Sequence, residues 1–319
     1  MCWTHRPAAF EAGAMTTTHS PSPVTGQTTG GAALVTAVTA LAPAVWGTTY
    51  FVTTAFLPAD HPLFAALMRA LPAGLLGLLI ARRLPHGDWW WKTLVLGTLN
   101  IGIFFPLLFV AAERLPGGVA ATLGATQPIL VTFLAVIVLG EALSRWRLVW
   151  GLVGAVGVGM VVLGPGAGFD PVGIFAGIGG AASMGTGVIL IKRWGRPAGV
   201  SAVGFAGWQL SAGGLVLLVP TLLIEGVPET IDGVGLLGYL WLGLIGGLLA
   251  YTLWFRGLGR LRVTATALLG LLSPLVAATV GVAFAGESLN LVQLAGFALA
   301  LAALFCGQLS PRTENGERK

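Results

Sequence analysis

The sequence is poor in charge. Asp, Glu, Lys and Arg make up 9% of its 319 residues, against about a quarter in soluble domains. So few charges cannot keep a surface of this size in water, and most of it is expected to face lipid. Cysteine is scarce too. Cys2 and Cys306 are the only two, one in a polar tail and one in an apolar run, which excludes a disulfide framework or a cysteine metal site. Acids and histidines are missing where membrane chemistry would need them. The 12 Asp and Glu fall in connectors, tails or span ends, and His5, His19, His61 and His86 lie outside the apolar runs. An intramembrane enzyme of the protease kind needs a Ser–His pair, an Asp pair or a His–Glu metal motif at depth. A proton relay needs a carboxylate or imidazole there. Neither set is present. No charged ring or filter motif marks a channel, and no cofactor is implied. The pI near 9.8 does not indicate nucleic acid, because the bases are spread over short connectors and form no patch.

Apolar residues and glycine are present in excess: 55% of the chain is hydrophobic and 48 residues are glycine. Apolar runs fall near 33–53, 62–80, 93–112, 117–139, 146–164, 172–191, 202–224, 234–255, 263–285 and 291–309. Each is about 20 residues long, enough to cross a hydrocarbon core of roughly 30 Å as a helix. Helices are required because lipid offers no partner to an open backbone. The connectors carry breakers such as Pro58-Ala59-Asp60-His61-Pro62, Pro116-Gly117-Gly118 and Gly164-Pro165-Gly166. The first thirty residues are polar and lack the apolar core of a signal peptide, with Met15 as an alternative start. Residues 1–31 and 310–319 are read as cytoplasmic tails, the first disordered.

Lys and Arg set the sidedness. With the N-terminus in the cytoplasm, the inside segments hold Arg6, Arg82, Arg83, Lys92, Arg145, Arg147, Lys192, Arg193, Arg196, Arg256, Arg260, Arg262, Arg312, Arg318 and Lys319. The outside connectors hold Arg114, and Arg69 lies within a span. This bias predicts both termini inside, in the plasma membrane.

The chain also repeats itself. Arg114-Leu115, Gly124, Pro128, Gly140-Glu141 and Leu143 recur 146 positions later as Arg260-Leu261, Gly270, Pro274, Gly286-Glu287 and Leu289. Upstream, Gly47-Thr48 matches Gly185-Thr186 at an offset of 138, and Arg69, Gly74 and Leu75 align with Gln209, Gly214 and Leu215 at an offset of 140. Two repeats, 32–164 and 165–309, with five spans each must cross in opposite senses. The expected fold is therefore all-α and integral to the membrane, with ten transmembrane helices as two five-helix inverted repeats, the scaffold of alternating-access transport.

With these features the sequence resembles the drug/metabolite transporter superfamily, in its ten-helix form with two EamA-type repeats. The resemblance rests on Trp46-Gly47-Thr48-Thr49-Tyr50, Arg114-Leu115-Pro116 with Gly124 and Pro128, Gly140-Glu141-Ala142-Leu143, Trp208-Gln209 and Gly286-Glu287-Ser288-Leu289. It implies export or exchange of small metabolites such as amino acids, amines, nucleosides or sugar derivatives, with a monomer sufficient and a dimer as the alternative. The second repeat departs by having Met184 opposite Trp46 and Gln209 opposite Arg69, so a site built from these groups is asymmetric.

Arg69 is the one formal charge well inside a span. It either receives a substrate carboxylate or phosphate, or snorkels to the outer headgroups or braces the outer loop near Asp60. Trp46, Thr49, Tyr50 and Thr53 share one face of the first helix. Asn100, Gln127, Ser183, Gln209 and Ser273 add hydrogen-bonding groups in other spans, and Tyr251 shares a face with Trp254. The set suits a lined cavity for an amphipathic solute, while any one member can serve as a bridge between helices. Pro128 and Pro274 are expected to kink helix interiors and act as hinges. Glu141 and Glu287 are expected to satisfy backbone donors of the following helix. Trp89, Trp90, Trp91, Trp146 and Trp194 read as an interfacial belt. The leading substrate is a zwitterionic amino acid or related carboxylated metabolite, moved by its own gradient. Cationic or lipophilic drugs and uncharged nucleosides or sugars are the alternatives.

Overall fold

The computed structural model describes residue 1 and residues 29–115, 123–162, 170–284 and 290–309. Pro116 to Gly118, Gly164 to Gly166, Gly286 to Leu289 and nearly all of both tails lie outside the described residues.

Among the described residues all regular structure is helical. In chain order the helical runs are α1 (Gly31–Phe56), α2 (Pro62–Ala81), α3 (Trp89–Arg114), α4 (Gln127–Leu139), α5 (Arg145–Val162), α6 (Pro171–Trp194), α7 (Ala202–Glu225), α8 (Gly233–Leu258), α9 (Val263–Phe284) and α10 (Leu291–Gln308). Eight are long and apolar enough to cross a membrane. The other two are α4, 13 residues long, and α5, which opens on Arg145 and Arg147.

Local chemistry sets the helix ends. Pro62 and Pro171 sit in the first turns of α2 and α6, where a missing N–H costs nothing. Asp170 accepts from Val172 N and Gly173 N, Ser201 from Gly204 N and Asp232 from Gly235 N, capping α6, α7 and α8. Gly140 closes α4 in the left-handed region at φ 66°. The role expected of Glu141 falls instead to Ser144, whose Oγ accepts from Arg147 N at 3.4 Å. A short side chain next to the helix start turns back onto the first N–H groups. The matched position 146 further on, Asn290, forms a capping box with Gln293.

The outer faces are apolar, with Leu79, Ile137, Phe175 and Leu223 all more than two-thirds exposed. The polar groups are inside: Arg69, Asn100 and Gln209 are at most 1% exposed. This inversion of the soluble pattern is what a lipid solvent demands. The principal helix contacts pair α2 with α7, α5 with α10, α6 with α3 and α4, and α1 with α8 and α9. Small residues permit the central pair to touch: a Cβ on Gly207 would stand 2.8 Å from the Gly77 carbonyl carbon, and one on Gly214 would meet the Leu71 backbone at 2.8 Å. Trp90 and Trp91 are exposed at the helix ends, in keeping with a belt. Trp89 instead turns inward against Phe205 and Trp208.

Candidate functional site

A cavity of about 90 Å³ lies among α1, α2, α3, α4, α6, α8 and α9. Its aromatic wall follows from helical spacing. Trp46 and Tyr50 project from α1, Tyr251 and Trp254 from α8, and the Trp46 ring stands 5.0 Å from Tyr251 and 5.2 Å from Trp254. Thr49 completes the α1 contribution, whereas Thr53 turns away and bonds the Thr49 carbonyl. The opposite wall is thin, because Gly177 and Gly180 of α6 bring backbone to the surface.

Arg69 reaches this cavity from α2. The outward-snorkelling reading is corrected: Arg69 is 1% exposed and its head points into the bundle. Nη1 donates to Thr49 Oγ1 and Nη2 to the Gly246 carbonyl, both at 3.3 Å, and the guanidinium lies 4.5 Å from the Phe105 ring centroid. Nε has no hydrogen-bond partner among the described residues, and no carboxylate forms an ion pair with Arg69 there. The start of α2 beside Asp60 is held otherwise: Glu225 accepts from Leu63 N and Phe64 N at 2.8 and 2.7 Å. A cation in this setting is held by neutral acceptors and a ring face, and its charge remains uncompensated.

The acceptor on Gly246 exists because α8 winds as a π-helix over Trp241–Leu249, and α3 does the same over Thr98–Ile103. A wider turn releases carbonyls from the usual ladder. Gly246 O accepts from Trp46 Nε1 at 2.8 Å as well as from Arg69. In α3, Leu99 O accepts from Ser183 at 2.7 Å and Asn100 O from Tyr251 at 3.4 Å. Asn100 also donates to Gln209 Oε1 at 2.9 Å. Asn100, Ser183 and Gln209 therefore join helices and do not line the cavity, while Trp46, Thr49, Tyr50, Arg69, Gln127, Tyr251 and Ser273 do line it.

Gln127 and Ser273 are placed by breaks in their helices. α4 starts after a turn at Ala125-Thr126, and α9 is interrupted at Gly270-Leu271 between Val263–Leu269 and Leu272–Phe284. Pro128 and Pro274 thus each follow a break and sit in the first turn of the helical segment that resumes after it. The reason is the missing N–H, which a first turn leaves unpaired in any case. Pro274 touches the cavity; Pro128 is buried beside it.

The two ends of the cavity differ. Ala111, Gly124, Ala176 and Gly177 carry its lining toward the end where Arg114 meets Asp170 at 3.4 Å. The Gly173 amide, with Val172 N and Arg114, holds the Asp170 carboxyl below the usual carboxylate range. Toward the other end, Tyr251, Phe255 and Phe205 stack successively at 5.4 and 5.5 Å. Beyond them Lys192 donates to the Leu258 and Leu261 carbonyls at 3.0 and 2.8 Å, and Arg193 to Val138 O at 3.3 Å. No cluster of His, Cys, Asp or Glu that could hold a metal occurs among the described residues.

Sequence reasoning missed Phe105 and Gly246. The second had a signal, since Gly246 lies 146 positions after Asn100, the offset of the long echo.

Comparison with known proteins agrees with this architecture. The EamA-like transporter family matches residues 31–163 and again 171–306. Protein PecM of Dickeya dadantii is 46% identical over 267 residues, 84% of this chain and 90% of that one. A probable amino-acid metabolite efflux pump of Salmonella typhimurium is 29% identical over 276 residues, 82% of this chain and 90% of that one. A protein of known crystal structure shares the fold with a TM-score of 0.72 at 20% identity, over 86% of this chain and 98% of its own. The chain belongs to the EamA-like transporter family of the drug/metabolite transporter superfamily and is a multi-pass membrane transporter.

Proposed function

We propose that the protein exports or exchanges small carboxylated metabolites, zwitterionic amino acids foremost, across the plasma membrane by alternating access. The observation that carries this reading is Arg69: a buried guanidinium at a cavity wall, with neutral acceptors on two sides and, among the described residues, no carboxylate paired to it. A substrate carboxylate would supply the missing charge through paired hydrogen bonds. A cationic drug would meet one positive charge and no acid. The aromatic walls would hold the rest of an amphipathic solute. The name of the Salmonella relative, an amino-acid metabolite efflux pump, points the same way.

The scaffold is read as ten spans in two inverted repeats, with both termini in the cytoplasm. Support comes from contacts that occur in matched pairs. α6 packs on α3 and α4 as α1 packs on α8 and α9, while α2–α7 and α5–α10 pair matched helices with each other. Gly74 sits against Ser211 and Gly214 against Leu71, a reciprocal contact at the 140-residue offset. In this frame the cavity reaches outward and Lys192 closes the inner end.

Counterflow in liposomes tests the reading. Vesicles loaded with amino acids should exchange them saturably, matched amines lacking the carboxylate and nucleosides should not, and collapsing a proton gradient should leave exchange intact. Equal exchange of the amines, or loss of exchange with the proton gradient, would contradict it.

A further inference from the structure

A second cavity, of about 350 Å³, lies away from the first, between the ends of α6, α7 and α8. Phe205 and Phe255 form its floor, and Lys192, Arg196, Arg256 and Arg260 line it with no acid among them. Lys192 is committed to backbone carbonyls. Arg196, Arg256 and Arg260 are exposed and have no hydrogen bond or ion pair among the described residues. Among the described residues no acid answers them: Asp88 sits 3.9 Å from Lys92, and Glu141 forms no ion pair.

Arg256 and Arg260 also belong to a third cavity of about 110 Å³, a groove between α1 and α8 lined by Leu34, Val35, Val38 and Leu253. The groove opens on the lipid-facing side, where Leu34 is 66% exposed. Two arginines therefore stand at the junction of a basic pocket and an apolar groove. A free anion would use only the first, whereas an amphiphile with an anionic head and an acyl tail would use both.

We infer that this is a binding site for an anionic phospholipid. Its phosphate engages Arg256 and Arg260, with Arg196 at the rim, and its chain lies along Leu34, Val38 and Leu253. Basic pockets between membrane helices suit such headgroups, and Arg suits phosphate because its planar fork makes paired bonds. The headgroup lies against the end of α8 and the connector after it, which carry Leu258 and Leu261, the acceptors of Lys192, so a bound lipid braces that closed end.

Native mass spectrometry of the protein in neutral detergent tests this, with phosphatidylglycerol, phosphatidylcholine and inorganic phosphate as probes. Phosphatidylglycerol should be retained at least tenfold better than phosphatidylcholine. Arg256→Gln with Arg260→Gln should weaken it roughly thirtyfold, at about 1 kcal/mol for each base removed. Val38→Trp fills the groove without altering charge, and it should weaken the lipid several-fold whether or not the arginine variant folds. Equal retention of the two lipids, displacement of phosphatidylglycerol by an equal concentration of inorganic phosphate, or undiminished retention by Val38→Trp would overturn the inference.

Discussion

Arg69 and Gln209 occupy matched places in α2 and α7, and their fates differ. Arg69 donates to Gly246 at the π turn of α8, while Gln209 accepts from Asn100 at the π turn of α3. Gly246 and Asn100 are matched as well, 146 positions apart. One layout thus carries two chemistries. On the α8 side a glycine bares its carbonyl, Trp46 and Arg69 gather on it, and the guanidinium is left at the cavity wall. On the α3 side an asparagine side chain takes the space, meets Gln209, and fits only because Gly187 of α6 has no Cβ to collide with its amide. The comparison teaches that a duplicated scaffold can keep its geometry while one arm sets a guanidinium at a cavity wall and the other forms a joint between helices.

Making the two arms alike should have the largest effect. Arg69→Gln should reduce counterflow of carboxylated solutes roughly tenfold to a hundredfold, the worth of hydrogen bonds to a charged group, without loss of the folded protein in size-exclusion chromatography. Gly246→Asn sharpens the contrast from the other side. A Cβ there stands 3.6 Å from Arg69 Nη2, an ordinary contact, so an amide oxygen could occupy the guanidinium fork. The apparent KM for a carboxylated solute should rise about tenfold or more, as one hydrogen bond to the charged guanidinium competes with the ligand. Smaller effects are expected where the breaks at α4 and α9 flex alike. Pro128→Ala and Pro274→Ala should slow exchange several-fold while leaving equilibrium affinity near native, and equal rates would remove the hinge. The smallest effect on transport belongs to the joint. Asn100→Ala or Gln209→Ala should cost about 0.6 kcal/mol, as membrane hydrogen bonds average, seen as a small fall in Tm with exchange within about threefold.

Much of this was open to sequence reading. Runs of about 20 apolar residues located the helical runs because lipid permits little else at that length. Trp46, Thr49, Tyr50 and Tyr251 were traceable from helical spacing alone. Asn100, Ser183 and Gln209 were not separable from them, since polar residues that line a cavity and those that join helices have the same composition. Only the π turn in α3 decides that Asn100 points at α7. Pro128 and Pro274 marked where the runs are broken but not the form of the break. A proline within an apolar run has one sequence signature whether it bends a helix or begins one, and the turn at Ala125-Thr126 and the break at Gly270-Leu271 are visible only in three dimensions. Gly246 acts through its backbone, which composition cannot report.

The most direct measurement is equilibrium binding of an amino acid and of its decarboxylated amine to the native protein and to Arg69→Gln, under identical detergent conditions. If Arg69 anchors a carboxylate, the native protein binds the amino acid at least tenfold more tightly than the amine, and the substitution removes that difference. If the preference is absent, or survives in Arg69→Gln, the guanidinium serves packing alone and the carboxylate-anchor account is wrong.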